Sequence, residues 1–292
     1  MRKVIATVAI LFFGITIFAQ TTTKAFDANT FNGISAGGIY NIELTKAATE
    51  SVVVEADKEI MPYVVVKVVK GVLSFNLDND RIPARLKRNM RSIKARVTMK
   101  DELARLTLSG ASTFYTASVF SPKGFNAQIS GASNAKGLNI VSETAVIKVS
   151  GASKINIKGK AADGSYEFSG ASVAVINQDI AKLSIEGSGA TKLEFTGKAG
   201  YVDIECSGAT YSKLTGECDT MNAEISGASK FDAFGFKVNN MTIEVMGVSS
   251  ANVFVVKSIE AETSGGSSIV YKGSPVLKDI DISSISSFRK AD

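Results

Sequence analysis

The stretch Ile147-Lys148-Val149-Ser150-Gly151-Ala152-Ser153-Lys154-Ile155-Asn156-Ile157 decides the fold. Apolar and polar residues alternate on both sides of a Ser-Gly-Ala-Ser tetrad, which is the period of strands with one buried face. The tetrad recurs at Ser109–Ser112, Ser130–Ser133, Ser169–Ser172, Ser188–Thr191, Ser207–Thr210 and Ser226–Ser229, with degenerate copies at Met246–Ser249 and Ser264–Ser267. From Gly110 to Gly265 the glycine-to-glycine steps are 21, 20, 19, 19, 19, 19, 20 and 18. Four and two residues before the glycine the chain is mostly apolar (Tyr166 and Phe168, Ile204 and Cys206, Ile243 and Val245), and again four and six after it (Leu193 and Phe195, Phe231 and Ala233). A second glycine eight residues on, at Gly159, Gly197, Gly216, Gly235 and Gly273, marks another corner.

A repeat of 19 residues at roughly 3.3 Å each traces a perimeter near ~63 Å, which suits one coil of short strands and tight turns. A lone coil cannot bury its inner face, but stacked coils pairing in parallel can. The expected fold is all-β: a single-stranded, right-handed parallel β-helix of about nine 18–21-residue coils behind an irregular N-terminal β region. Glycine and alanine suit a corner where a larger side chain would crowd the coil above. The Ser or Thr that always ends the tetrad suggests a hydroxyl ladder. Residues 20–292 read as one domain, with irregular coils and a cap over 20–102 and regular coils over 103–292. Phe31–Thr45, Ser51–Ala56, Tyr63–Leu77 and Lys94–Met99 alternate like strands, and Ser35-Ala36-Gly37-Gly38 reads as an early relative of the tetrad.

Among 292 residues there is no histidine, which excludes Ser-His-Asp and Cys-His catalysis, a histidine base and histidine-ligated zinc. No phosphate-binding glycine loop follows a strand, and a net charge of +5 is no nucleic-acid signature. Arg2-Lys3, the apolar run Val4–Phe18 and Ala19 read as a signal peptide over residues 1–19; the run is too short to span a bilayer comfortably. The expectation is an exported chain without a transmembrane segment, in the periplasm, on the outer-membrane surface or outside the cell. Export permits a disulfide between Cys206 and Cys218; the alternative is two buried thiols. Cys206 falls in an inward column between Gly187 and Ile225.

Two charged surfaces are candidate sites, and no catalytic residue is assigned. Three residues before the tetrad glycines, an outward column reads Thr107, Gln128, Lys148, Glu167, Glu186, Glu205, Glu224, Glu244 and Glu262. With Asp203 beside it, the densest patch is Glu186, Asp203, Glu205 and Glu224. Stacked carboxylates would bind Ca²⁺ through many oxygens or supply an acid/base pair for sugar cleavage; the plain alternative is a solvated face relieved by nearby lysines. Ca²⁺ is the one cofactor considered. The second surface is basic: Arg81, Arg85, Lys87, Arg88 and Arg91, continuing to Lys94 and Arg96 without an acid. It would hold phosphate-bearing or acidic glycans; the alternative is a loop interrupting two coils. Lys154, Lys192 and Lys230 recur on alternate coils and read as charge dispersal.

The spaced tetrads, Gly37-Gly38-Ile39-Tyr40-Asn41-Ile42-Glu43-Leu44, Val54-Glu55-Ala56-Asp57 and Gly273-Ser274-Pro275 together resemble the head GIN domain family, described as auto-transporter adhesins of Gram-negative bacteria. The resemblance spans Phe31 onward and implies a β-helix in a cell-envelope setting, with no catalytic residues to transfer. An auto-transporter needs a membrane β-barrel, for which these 292 residues offer no expected segment after the last coil. The leading expectation is a non-enzymatic envelope protein presenting a repetitive surface to glycan or protein. A polysaccharide lyase or hydrolase using the acid patch, which rests on fold analogy, and a structural periplasmic scaffold are the alternatives.

Overall fold

The computed structural model describes residues 21–291; the signal-peptide expectation lies outside them. The chain begins with β1 (Thr21–Phe26), β2 (Gly33–Gly38), β3 (Tyr40–Lys46), β4 (Ser51–Asp57), β5 (Val64–Val69) and β6 (Val72–Leu77). The short helix α1 (Ala84–Arg88) precedes β7 (Ile93–Met99), β8 (Arg105–Gly110), β9 (Thr113–Thr116), β10 (Val119–Phe120) and β11 (Gly124–Ile129). Long bent strands then each run from one tetrad to the next: β12 (Asn134–Val149), β13 (Lys154–Phe168), β14 (Val173–Gly187), β15 (Lys192–Cys206), β16 (Tyr211–Ile225), β17 (Lys230–Val245) and β18 (Ser250–Thr263). β19 (Ser268–Lys272), β20 (Val276–Ile282) and β21 (Ser287–Lys290) finish the stack. From β8 onward all pairing is parallel, and the whole is a β-solenoid of about ten turns.

Alternation fixes which side chains enter the core. Tyr166, Phe168, Leu193, Phe195, Ile204, Cys206, Phe231, Ala233, Ile243 and Val245 are all buried, as their spacing requires. The columns also balance volume: Phe168, Gly187, Cys206 and Ile225 stack in register, so the largest ring lies beside a residue with no side chain. Odd coil lengths are absorbed as register shifts. The extra residue of β12 falls between Ala135 and Leu138 at Gly137, and that of β17 lies opposite the Lys213/Thr215 step.

The tetrad corner needs glycine for two reasons. Gly208 has φ +77°, in the left-handed region, and a Cβ there would stand 2.8 Å from the carbonyl oxygen of Gly189 in the preceding coil. Gly159, at the second corner, has φ +126° and would place a Cβ 2.0 Å from the oxygen of Ile140. The hydroxyl that ends each tetrad is buried, but it forms a mixed column rather than a simple ladder. Ser153 Oγ donates to the Gly131 oxygen at 3.2 Å and Thr210 Oγ1 to the Ser207 oxygen at 2.7 Å; Ser172 and Thr191 meet hydroxyl to hydroxyl at 3.4 Å.

The N-terminal region is a coil with an excursion. Gly38 sits directly in the glycine column: β2 pairs with β8 from Gly33↔Arg105 to Gly38↔Gly110, and Ala111 N–H donates to the Gly38 oxygen at 2.6 Å. Between these coils the chain leaves the solenoid and returns beneath it. β6 pairs in parallel with β2 and β7 with β3, forming an outermost coil whose corner is the segment carrying α1. Antiparallel β5 on β6, and β4 then β1 on β7, cover that end. At the other end β20 and β21 each pair on one side only among the described residues, and Val276, Leu277, Ile282 and Ile285 are exposed there.

Candidate functional site

The outward glutamate column forms as the spacing requires. Strand register places Glu167, Glu186, Glu205, Glu224, Glu244 and Glu262 side by side, with Lys148 before them and Asp281 after. Asp203 lies on β15 two residues from Glu205, opposite Ser184 and Asn222 rather than in the column. Lys148 pairs with Glu167, and that hydrogen bond raises the lysine pKa. Lys148 also acts through space on Glu186, but among the described residues no ion pair involves Glu186, Glu205, Glu224, Glu244 or Glu262. Half-buried Glu244 has its pKa raised, first by desolvation and then by Glu262 and Glu224. A shallow groove of about 510 Å³ lies here, lined by Glu244, Glu260, Glu262, Asp279 and Asp281. Among the described residues no group of three or more Cys, Asp or Glu side chains is arranged to hold a metal ion.

A neighbouring face of the rod shows how like charges are otherwise avoided. Lys160 pairs with Asp179 at 3.8 Å, and Lys198 with Glu217 at 2.6 Å, one coil after another. The Lys198 bond lowers the Glu217 pKa and raises its own. The acid column is therefore a departure from the alternation found elsewhere on the same surface.

The bridge expected as one option between Cys206 and Cys218 is not formed: both thiols are free and buried. They occupy different columns, Cys206 between Gly187 and Ile225 and Cys218 between Ala199 and Val238. Burial pushes the Cys206 thiol up to about 11, partly opposed by its contact with Ser212 Oγ at 3.2 Å. Burial pushes Cys218 up to about 12, with the Asp219 charge adding to it. Neither is a reactive nucleophile near neutral pH.

The basic segment is not a plain loop. It is the corner of the outermost coil: α1 carries Arg85, Lys87 and Arg88, and none of its residues is buried. Arg85 reaches Glu59 at 3.1 Å and Arg81 reaches Asp78 at 3.6 Å, while no ion pair involves Lys87, Arg88 or Arg91 among the described residues. Lys94 and Arg96 belong to a different surface, the outward face of β7. There they join Asn41, Glu43, Thr113 and Tyr115 around a depression of about 410 Å³. The sequence reading did not single out Tyr115, an outward residue of the first regular coil five positions after Gly110.

A family described as "Putative auto-transporter adhesin, head GIN domain" matches residues 30–175 and 164–275. Among solved structures, a "putative adhesin" from Parabacteroides merdae is 16% identical with a TM-score of 0.51, covering 94% of this chain and 97% of that one. A "putative adhesin" from Parabacteroides distasonis is 15% identical with a TM-score of 0.50, covering 94% and 98%. A "putative lipid binding protein" from the same species is 14% identical, with a TM-score of 0.48 over 93% and 97%. No curated protein matches the chain. Among the described residues no helix is long and apolar enough to cross a membrane.

Proposed function

Because the chain belongs to the head GIN domain family, we propose that it is an exported, adhesin-like binding module without catalytic activity, presenting its rigid faces to glycan or protein. The observation that carries this reading is the surface itself. Outward side chains form straight columns held in register by parallel pairing, and from β12 onward the corners are tight, so no long loops wall a cleft there. A lyase or hydrolase would need acids converging on one reacting bond; the glutamates here are spread along six consecutive coils. Of the two charged surfaces, the corner bearing Arg85, Lys87, Arg88 and Arg91 supplies the contact with anionic groups of a surface glycan. The test is protease accessibility on intact cells, followed with an antibody to residues 20–292 and a periplasmic marker for leakage. It is coupled to adherence of the purified chain to glycan-bearing cells. Digestion and saturable adherence support the reading. Protection until the outer membrane is opened removes adhesion between cells and favours the scaffold.

A further inference from the structure

We propose that the outward face of β7, β3 and β9 is a glycan subsite for an oligosaccharide in which a uronic-acid residue neighbours a neutral sugar; this deepens the adhesin-like reading and rests on it. Register arranges six side chains as a grid. Lys94, Asn41 and Thr113 form one row across the three strands, and Arg96, Glu43 and Tyr115 the next. At about 4.8 Å between strands and roughly 6.6 Å between alternate residues, the grid covers about 10 by 7 Å, the footprint of two linked pyranose rings. Outward columns on the regular coils also mix residue types, as Thr144, Asp163, Lys182, Tyr201 and Thr220 do. Here ammonium, guanidinium, amide, carboxylate, hydroxyl and an aromatic ring meet around one depression.

The two ends of the grid differ in chemistry. At the Tyr115 end the ring is 46% exposed, and no other aromatic side chain is exposed among the described residues. It lies against Gly137, where a Cβ would stand 3.2 Å from Tyr115 Cε2, so the glycine at the β12 bulge leaves room for the half-exposed ring. A supported, half-open aromatic face suits the C–H face of a sugar, with a polar tip to spare. At the opposite end Lys94 and Arg96 are 66% and 64% exposed. They share Glu55 at 3.9 and 3.6 Å, too long to occupy their donors fully. Glu55 holds the two cations side by side, and the arginine fork matches a carboxylate. Between the ends, Asn41 and Thr113 offer donors and acceptors to ring hydroxyls, and Glu43 accepts from them. Glu43 also decides against a carboxylate on the adjoining sugar: a second negative group beside Tyr115 would meet its carboxylate. The ligand is therefore anionic at one residue and neutral at the next.

The experiment is calorimetric titration of residues 20–292 with a hyaluronan hexasaccharide, which alternates glucuronate and N-acetylglucosamine, against neutral chitohexaose. The wild type is expected to bind hyaluronan measurably more tightly than chitohexaose. Tyr115→Ala should weaken hyaluronan binding about tenfold and Tyr115→Phe less than about twofold. The pair Lys94→Gln and Arg96→Gln should reduce hyaluronan to the chitohexaose level, with melting temperatures unchanged. Absence of hyaluronan binding, equal binding of both glycans, or full binding by folded Tyr115→Ala overturns the subsite. If Tyr115→Ala proves unstable, the Tyr115→Phe and Lys94/Arg96 variants decide alone. Cell adherence separates the two readings. A chain that adheres equally with and without Tyr115 refutes the subsite and leaves the adhesin reading standing. A chain that binds the hexasaccharide but adheres to no surface does the reverse.

Discussion

Replacing Gly208 with alanine tests the stacking of coils at the tetrad corner. The backbone there is left-handed, φ +77°, which costs a residue bearing a Cβ about 1–2 kcal/mol. The new Cβ would also lie 2.8 Å from the Gly189 oxygen and 3.0 Å from its nitrogen, both backbone atoms that no side-chain rotation can move. To clear it the two coils must part by several tenths of an ångström, where Ala209 N–H donates to that same Gly189 oxygen at 2.8 Å. Losing much of that bond costs roughly a further 1 kcal/mol. Lower entropy of the unfolded alanine chain returns about 0.4–1 kcal/mol. The net loss is about 2 kcal/mol, a fall in melting temperature of roughly 4–8 °C for a chain of this size. Gly266 supplies the contrast. It stands where the other tetrads carry alanine or valine, has no left-handed φ, and a Cβ there meets nothing within 4 Å. Gly266→Ala should therefore raise the melting temperature by about 1–3 °C. Thermal unfolding of residues 20–292, followed by circular dichroism and calorimetry, measures both. Equal melting temperatures for Gly208→Ala and wild type, or a Gly266→Ala loss as large as that of Gly208→Ala, would refute steric stacking as the reason for the glycine column.

The acid column predicts a pH-dependent gain from Glu244→Gln. The folded pKa of Glu244 is raised, so the wild type is penalised as pH climbs through that value and the carboxylate ionises beside Glu224 and Glu262. Neighbours about 5 Å apart repel by about 0.8 kcal/mol each in water, so the variant should gain about 0.5–1 kcal/mol at pH 7 and low salt. Denaturant titrations should show that gain vanish below the ordinary carboxylate range, where the carboxyl is protonated folded and unfolded alike, and shrink in 1 M salt; a gain unchanged by both would refute repulsion. The thiols should resist alkylation in the folded chain at pH 8 and take up two labels in denaturant, because both are buried and their pKa values stand at about 11 and 12; rapid labelling of either, or an intact mass two hydrogens short, would contradict the free, buried state. Alanine at Arg85, Lys87, Arg88 and Arg91 together should weaken binding to heparin and flatten its salt dependence while leaving the melting temperature unchanged, because all four side chains are exposed and Leu86, which anchors α1 to the core, is kept; undiminished heparin affinity would remove that corner from the proposed surface.

The parts of this structure legible in the sequence are those whose partners lie one repeat away. In a parallel solenoid each residue pairs with the one about 19 positions on, so a single period fixes which residues share a column. That is why Glu186, Glu205 and Glu224 could be aligned, and Cys206 placed between Gly187 and Ile225, before any coordinates. Ser35-Ala36-Gly37-Gly38 shows where this logic stops. Gly38 stacks on Gly110, but β4 to β7 intervene, and nothing local in Val72–Leu77 or Ile93–Met99 reveals that they return to the far side of the first coil. Asp203 lies on the same outward face as Glu205, one column over. The same reasoning locates function. Inward positions are set by packing and tetrad positions by backbone clearance, so neither is free to respond to a ligand. Outward positions escape both constraints, and a column there holds one residue type, as from Glu167 to Glu262, or many, as Thr144, Asp163, Lys182, Tyr201 and Thr220 do. At the slip in β12, Gly137 leaves room for Tyr115, which shares a face across β3 with Lys94 and Arg96 brought in by the excursion. The proposed subsite therefore joins residues of the excursion and of the first regular coil, which no single period relates, so their meeting on one face is set by the fold and not by the repeat.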